Sequence, residues 1–371
     1  MRKLLFNPGP TNVNIEVKQA LITENHSHRD EEFLEVFERV CSNLVKICYG
    51  EQTHCAIPFV ASGTGANEAI LSSITGKLLI IENGRYSKRL IDIASKYKHN
   101  IKIAHFDPLI PIDLNQVKEI LSQDQEIQYV VAVHHETTTS LMIPLQKLGE
   151  LSKQFNTPLI IDGISSIGAH DFNVKRDNIA FCSVSANKCL ESLPGVSFVV
   201  ACNSELNKIK GQAQTYYFDL YRQWQYTLKK RLPFTAAIQL FFALDVALER
   251  LLSETVEGRS KRYISLKTYL KERLKTIGIE AFNIPDEFCS NILSLFHLPQ
   301  SIDLNLLSEK MKERKIIIYT DLDTHQRSQF FLATMGDLIK GEIDYFIENF
   351  QQALKELGFQ PSNIAFLKKA V

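Results

Sequence analysis

Short apolar runs and amphipathic stretches take turns along the chain as far as residue 201. Near the start, Asn12 is placed to cap a short helix from about Ile15. Asp30 is placed to cap the next, where Phe33, Val36, Phe37, Val40, Leu44 and Val45 recur at helical spacing. Beyond it, strands are expected over 55–60, 78–81, 101–104, 129–133 and 159–161, with helices over 65–72, 86–97, 114–121 and 145–155 between them. Strand and helix in alternation imply a mostly parallel sheet covered on both faces. Runs at 181–185 and 197–201 add two strands, making seven. After about Asn203 long helices follow, over 236–252 and 258–277. Strands near 292–296, 316–319 and 329–333 and a final amphipathic helix over about 342–357 complete the pattern. The fold class is therefore α/β: a large unit over 1–250, with an N-terminal arm over 1–25, and a smaller α+β unit over 251–371.

Composition narrows the functional classes. The 371 residues are 45% hydrophobic and 23% charged, as in a soluble globular protein. Lys+Arg and Asp+Glu are both 42, so the net charge is zero, which argues against a nucleic-acid or anionic-membrane binder. No apolar run is long enough to span a bilayer, and Pro8 interrupts the start too early for a signal peptide. The seven cysteines, at 41, 48, 55, 182, 189, 202 and 289, form no CxxC pair. Structural zinc is not expected; reduced thiols and a cytoplasmic location are. His134 and His135 are neighbours on a strand and point to opposite faces, so no metal site is expected there.

The chemistry concentrates where strands end. Asp162 closes the apolar run 158–161, and Lys188 follows the run 181–184 and precedes Pro194-Gly195. A lysine amine can form a Schiff base with an aldehyde cofactor, and a carboxylate can keep a pyridinium nitrogen protonated. Ser62-Gly63-Thr64-Gly65-Ala66 follows a strand and opens a helix, where free N–H groups and the helix dipole suit a phosphate. It is neither the nucleotide P-loop nor the dinucleotide fingerprint, since no Gly-Lys-Ser/Thr and no third glycine follow. Tyr86, in Asn83-Gly84-Arg85-Tyr86, stands at a helix start where its ring can stack on an aromatic cofactor. Thr137, in His135-Glu136-Thr137-Thr138-Thr139, stands where a hydroxyl can meet a phenolic oxygen.

The ordered set resembles the 2-aminoethylphosphonate aminotransferase branch of the class V (fold type I) pyridoxal-phosphate aminotransferases. The likeness runs from Asn7-Pro8-Gly9-Pro10-Thr11 and the stretch 26–33, through Ser165-Ser166-Ile167-Gly168, the segment 185–195 and Arg231-Leu232-Pro233-Phe234-Thr235, to Met335-Gly336-Asp337. The resemblance implies pyridoxal 5'-phosphate as cofactor and amino transfer between a small amine or amino acid and a keto acid. It implies that Lys188 holds the cofactor and moves the proton, and that Asp162 pairs with the pyridinium nitrogen. Tyr86 would stack on the ring, Thr137 would contact the ring oxygen, and Ser62, Gly63, Thr64 and Asn187 would hold the phosphate. Thr235 would reach the phosphate of the other subunit of a homodimer with shared active sites.

One segment departs from the family pattern. Where the family carries Phe-Arg-Ile-x-Asn-Met-Gly, this chain reads Phe330-Phe331-Leu332-Ala333-Thr334-Met335-Gly336. Phe331 takes the place of the arginine that clamps the substrate's acidic group, a contact worth roughly 2–5 kcal/mol when buried. Arg29, Arg231 or Arg327 could supply the guanidinium instead, or the substrate could carry an amine that Asp321 or Asp323 meets. The same Lys188–Asp162 pair would also serve a pyridoxal-phosphate lyase or decarboxylase, and a non-catalytic partner protein is the reading outside the enzymes.

Overall fold

The computed structural model of the chain describes residues 2–320 and 329–359. All seven expected strands form one sheet: β1 (His54–Phe59), β2 (Lys77–Glu82), β3 (Asn100–His105), β4 (Ile127–Val133), β5 (Leu159–Asp162), β6 (Ile179–Ser185) and β7 (Ser197–Cys202). Their order is β1-β7-β6-β5-β4-β2-β3. Only β7 runs antiparallel to its neighbours, so β1 points the same way as the other five. The ends of β1, β2, β4, β5 and β6 therefore open on one edge, where parallel α/β sheets bind ligands.

Alternate residues of each strand feed opposite layers. Leu79, Ile81, Val130, Ala132 and Ile161 pack with α1 (Glu31–Ile47) on one face. Leu78, Ile80, Val131, Val133 and Ile160 pack on the other with α2 (Gly63–Ser73) and α3 (Arg85–Lys96). Burial on both faces explains why these strands read as continuous apolar runs in the sequence.

The chain then passes into α4 (Ile238–Glu254) and α5 (Val256–Lys275). Thr255 separates them with φ 68°, and its side chain accepts a bond from the Gly258 N–H. A third core joins Leu266, Leu270 and Leu274 of α5 to Phe346 and Phe350 of α6 (Lys340–Glu356). β8 (Leu293–His297) pairs with β9 (Gln329–Ala333) beside it. Phe330 and Leu332 of β9 enter this core, while Phe331 and Ala333 face a separate cluster with Cys189, Tyr263 and Met335.

The N-terminal arm belongs to the third core as well. Leu4 and Phe6 are buried in it, and Leu4–Leu5 pairs in parallel with Ile316–Ile317. Here one expectation is corrected. Asn14, not Asn12, caps the helix Ile15–Gln19. Asn12 is buried and reaches back along the arm, its amide exchanging bonds with the Leu5 N–H and carbonyl. A buried side-chain amide stays with a backbone pair that no water can serve. Asp30 stands at the N-cap of α1 as expected, but its carboxylate accepts from the Ser27 N–H instead of the helix.

Candidate active site

A cleft opens at the strand ends. It is lined by Ser62, Gly63 and Thr64, by Tyr86, by Thr137, by Asp162, and by Asn187 and Lys188. Sequence reasoning had named each of these, and the fold brings all eight together.

Ser62 caps α2 by position but gives it no side-chain bond, which leaves the first N–H groups of the helix to face the cleft. A Cβ at position 63 would lie 2.6 Å from Ile164 Cδ1, so the turn admits no side chain larger than glycine's without displacing Ile164. Asn187 is held by Ser185, whose hydroxyl donates to its Oδ1 at 2.5 Å. The turn is thus a pocket of backbone donors and short polar groups at a helix start, the arrangement that accepts a phosphate.

Asp162 is buried at the end of β5. Its Oδ2 accepts from Asn67 Nδ2 at 2.7 Å and its Oδ1 from the Ile164 N–H at 3.0 Å. Burial pushes its pKa up, opposed by those two bonds and by the charges of Lys188 and Arg89. Lys188 is drawn the other way: burial lowers its amine to about 8. Its Nζ donates to the Pro8 carbonyl of the arm. Gly9 has φ 137°, and a Cβ there would overlap the Lys188 side chain. A glycine is what lets the arm lie directly over the amine.

Tyr86 stands in the first turn of α3, and its N–H donates to Glu136 Oε2 at 2.9 Å. The other carboxylate oxygen of Glu136 accepts from the N–H and hydroxyl of Thr138, at 3.2 and 2.6 Å. A wholly buried acid therefore ties the tyrosine to the loop that carries Thr137. The Arg89 guanidinium lies 4.9 Å from the Tyr86 ring centroid. His135 also lines the cleft. Its Nδ1 faces the Ser165 carbonyl at 3.4 Å, and Nε2 has no partner among the described residues. Burial holds its pKa well below the usual value, so the ring is neutral.

Asn67, Arg89, His135 and Ser165 were not foreseen as cleft residues, nor Glu136 as the support behind Tyr86. Asn67 could have been found: it follows Gly63 and Thr64 by about one helical turn and so shares their face. Other expectations fall outside the cleft within this chain. Thr235, Arg29 and Arg231 are exposed. Phe331 is buried, stacked on Tyr319 with centroids 5.3 Å apart. Arg327, Asp321 and Asp323 lie outside the described residues. No cluster able to hold a metal ion occurs among the described residues. Nor is any helix among them long and apolar enough to cross a membrane.

The residues present fit pyridoxal phosphate: a phosphate-accepting helix start, a buried carboxylate, a buried amine of lowered pKa, and an unpartnered imidazole nitrogen. Fold and site together define a pyridoxal-phosphate enzyme of fold type I. The comparisons carry this further. The family model for class-V aminotransferases matches residues 5–332, and the chain belongs to that family. A 2-aminoethylphosphonate–pyruvate transaminase of Lysinibacillus sphaericus is 31% identical over 359 residues, covering 93% of this chain and 95% of the relative. One from Vibrio cholerae is 28% identical, covering 95% and 97%. Among solved structures, the alanine–glyoxylate aminotransferase of Nostoc sp. superposes with a TM-score of 0.88 at 24% identity, over 95% of this chain and 96% of that one. The ureidoglycine–glyoxylate aminotransferase of Bacillus subtilis reaches 0.90 at 20% identity, over 98% and 95%.

Proposed function

We propose that this aminotransferase moves the amino group of a small amine of the 2-aminoethylphosphonate type to a keto acid such as pyruvate, with Lys188 and Asp162 as its catalytic pair. The observation that carries the reading is the convergence of the half-buried Lys188, whose amine is lowered to about 8, the buried Asp162 carboxylate and the open start of α2 on one cleft. The substrate class comes from what the most similar named relatives act on.

When bound, pyridoxal phosphate supplies an aldehyde that takes up the amine and a ring that withdraws electrons from the adjoining carbon. The residues then divide the work. The start of α2, with Ser62, Gly63, Thr64 and Asn187, would hold the phosphate. Asp162, fixed by Asn67 and the Ile164 N–H, would keep the ring nitrogen protonated. Tyr86, anchored by Glu136, would cover one ring face, and Thr137 would meet the ring oxygen. Lys188 would take the proton from the substrate carbon and return it. An amine near 8 is basic enough to accept that proton and acidic enough to release it near neutral pH.

The chain works as a homodimer, with Thr235 completing the partner's phosphate site. The exposed Tyr216 and Tyr217, whose rings meet Phe234 beside Thr235, support this, because apolar surface of that kind favours an interface. The protein is cytoplasmic, as its free cysteines suggest. The chain divides near residue 250, supported by the separate core that α5 and α6 build beyond Thr255.

Phe331 favours a second reading of the substrate. Its ring is spent on Tyr319, so β9 offers no guanidinium to an acid. A donor whose acidic group is held elsewhere, or a lyase or decarboxylase substrate, fits that side better. The test is absorbance of the protein loaded with pyridoxal phosphate and mixed with single amines. Conversion of the cofactor from its aldehyde to its amine form by 2-aminoethylphosphonate establishes the proposal. Turnover of an amine with no keto acid acceptor would establish the lyase reading instead.

A further inference from the structure

The Lys188 amine is met from the cleft side by the arm. Its backbone is met from behind by a buried charged network that no step above uses. Glu191 closes the turn that carries Lys188: its N–H donates to the Lys188 carbonyl at 2.9 Å, and its φ of 59° is left-handed. That conformation is rare for a side chain with a Cβ. The Glu191 carboxylate is buried, and its Oε1 accepts from Arg262 Nη2 at 2.8 Å and from the Tyr263 hydroxyl. Arg259, 1% exposed, donates Nη1 to the Cys189 carbonyl at 3.0 Å and lies 3.6 Å from the second Glu191 oxygen. Glu254 pairs with both arginines, at 2.8 and 2.6 Å, so two acids balance two guanidiniums.

The same residues of α5 hold the far side of the site. Arg262 Nη1 donates to the Gly336 carbonyl at 2.9 Å, and the Gly336 N–H donates to the Tyr263 hydroxyl at 3.2 Å. Gly336 in turn bridges to Asn12 of the arm, and the Asp337 N–H donates to the Asn12 carbonyl at 2.8 Å. A few residues back along that arm is Pro8, whose carbonyl takes the Lys188 amine. The contacts form a closed ring: Lys188 turn, Glu191, Arg262 and Tyr263, Gly336, arm, and Lys188 again.

We propose that Glu191 is a positioning residue for Lys188, fixing its turn against α5 and Gly336 so that the amine meets the arm and the cleft at a set place. The inference rests on Lys188 being the reactive amine of the function proposed above. The network grips the lysine's own turn directly, at the Cys189 carbonyl through Arg259 and at Glu191 through Arg262 and Tyr263. An unpaired buried charge is costly, so the network holds only as a complete set.

The test is the reactivity of Lys188 toward acetic anhydride in the full-length, cofactor-free protein, followed against pH by mass spectrometry. The groups that face the amine are Asp162 of β5, Arg89 of α3, His135 after β4, Cys189 beside it and the Pro8 carbonyl. Glu191→Gln keeps the side chain's size and loosens its hold on Arg262 and Arg259, so the turn and its amine are no longer fixed. The Lys188 labelling profile against pH is expected to move, with a roughly threefold or larger change in rate at pH 7. Exposed Lys261 should label as before. Tyr263→Phe keeps the charge and loses both phenol bonds; it should change the Lys188 rate in the same assay, and it decides alone if Glu191→Gln does not fold. A folded variant that melts lower yet labels Lys188 at the native midpoint and rate would overturn the proposal. Because no cofactor or substrate enters, failure here leaves the transaminase reading standing.

Discussion

The cofactor floor and the β9 side of the site are built on different principles. The floor collects groups from five strand ends and two helix starts, most of them polar and several bonded to a second layer. On β9, the position expected to carry a guanidinium holds Phe331, packed among Cys189, Leu293 and Tyr263. Charge in a dry site needs a fixed frame, so the floor tolerates little change. Substrate choice turns on single contacts and can be rebuilt by exchanging one side chain. The contrast separates what this chain does to an amine from which amine it takes.

The comparison can be broken at its strongest point. Lys188→Ala should lower the rate of cofactor conversion by about 100- to 10,000-fold, measured in single turnover with the most active amine. A loss of only a few fold would mean that the floor does not hold the base. Phe331→Arg tests the opposite side. A guanidinium placed in that apolar cluster should cost about 3–5 kcal/mol in urea unfolding and bring no tighter donor binding. If instead the variant is stable and its KM for 2-aminoethylphosphonate falls, β9 is a substrate wall after all.

The surroundings of the floor should carry their own pH signature. His170 is buried with its ring centroid 5.6 Å from that of His135, accepts from the Asn291 N–H, and is lowered to about 4 by burial. The fold keeps this imidazole neutral, so the unfolded chain binds more protons between about pH 6.5 and 4. Stability is full above that window and falls as pH drops through it, by on the order of 3 kcal/mol from this group. Urea midpoints at pH 7 and pH 5 measure the slope, and His170→Asn should flatten it. The smallest effect belongs to Asn67→Ala. Losing its bond to a buried carboxylate should cost about 1.5–3 kcal/mol, read as weaker pyridoxal phosphate affinity. Asp162 should be pushed further up as well, since the lost bond is one of those that lower it.

Much of this was legible in the chain because both layers of the sheet take alternate residues of the same runs. β2 was expected over 78–81 and is found over Lys77–Glu82; β9 was expected at 329–333 and is found there. The helix after β1 was expected from Gly65 but begins at Gly63, because glycines weaken the periodic signal there. The floor residues named from sequence all occupy strand ends or the turn after them. Those overlooked act sideways: Asn67 on Asp162, Glu136 on Tyr86, Glu191 on Arg262. Such bonds join residues distant along the chain, and no local period encodes them. Asn12 was misjudged because its partner Leu5 lies behind it and not in the helix ahead.

The pairing of Leu4–Leu5 with Ile316–Ile317 has a consequence for how the protein is made. Residues 4–9 are synthesised well before Ile316 and Ile317, the strand they dock against. The seven strands of the sheet, ending at Cys202, can associate while the arm still has nowhere to go. The Pro8 carbonyl therefore settles on Lys188 only after residues 316–317 have been made. A nascent chain halted before residue 316 would hold a finished floor under an open roof.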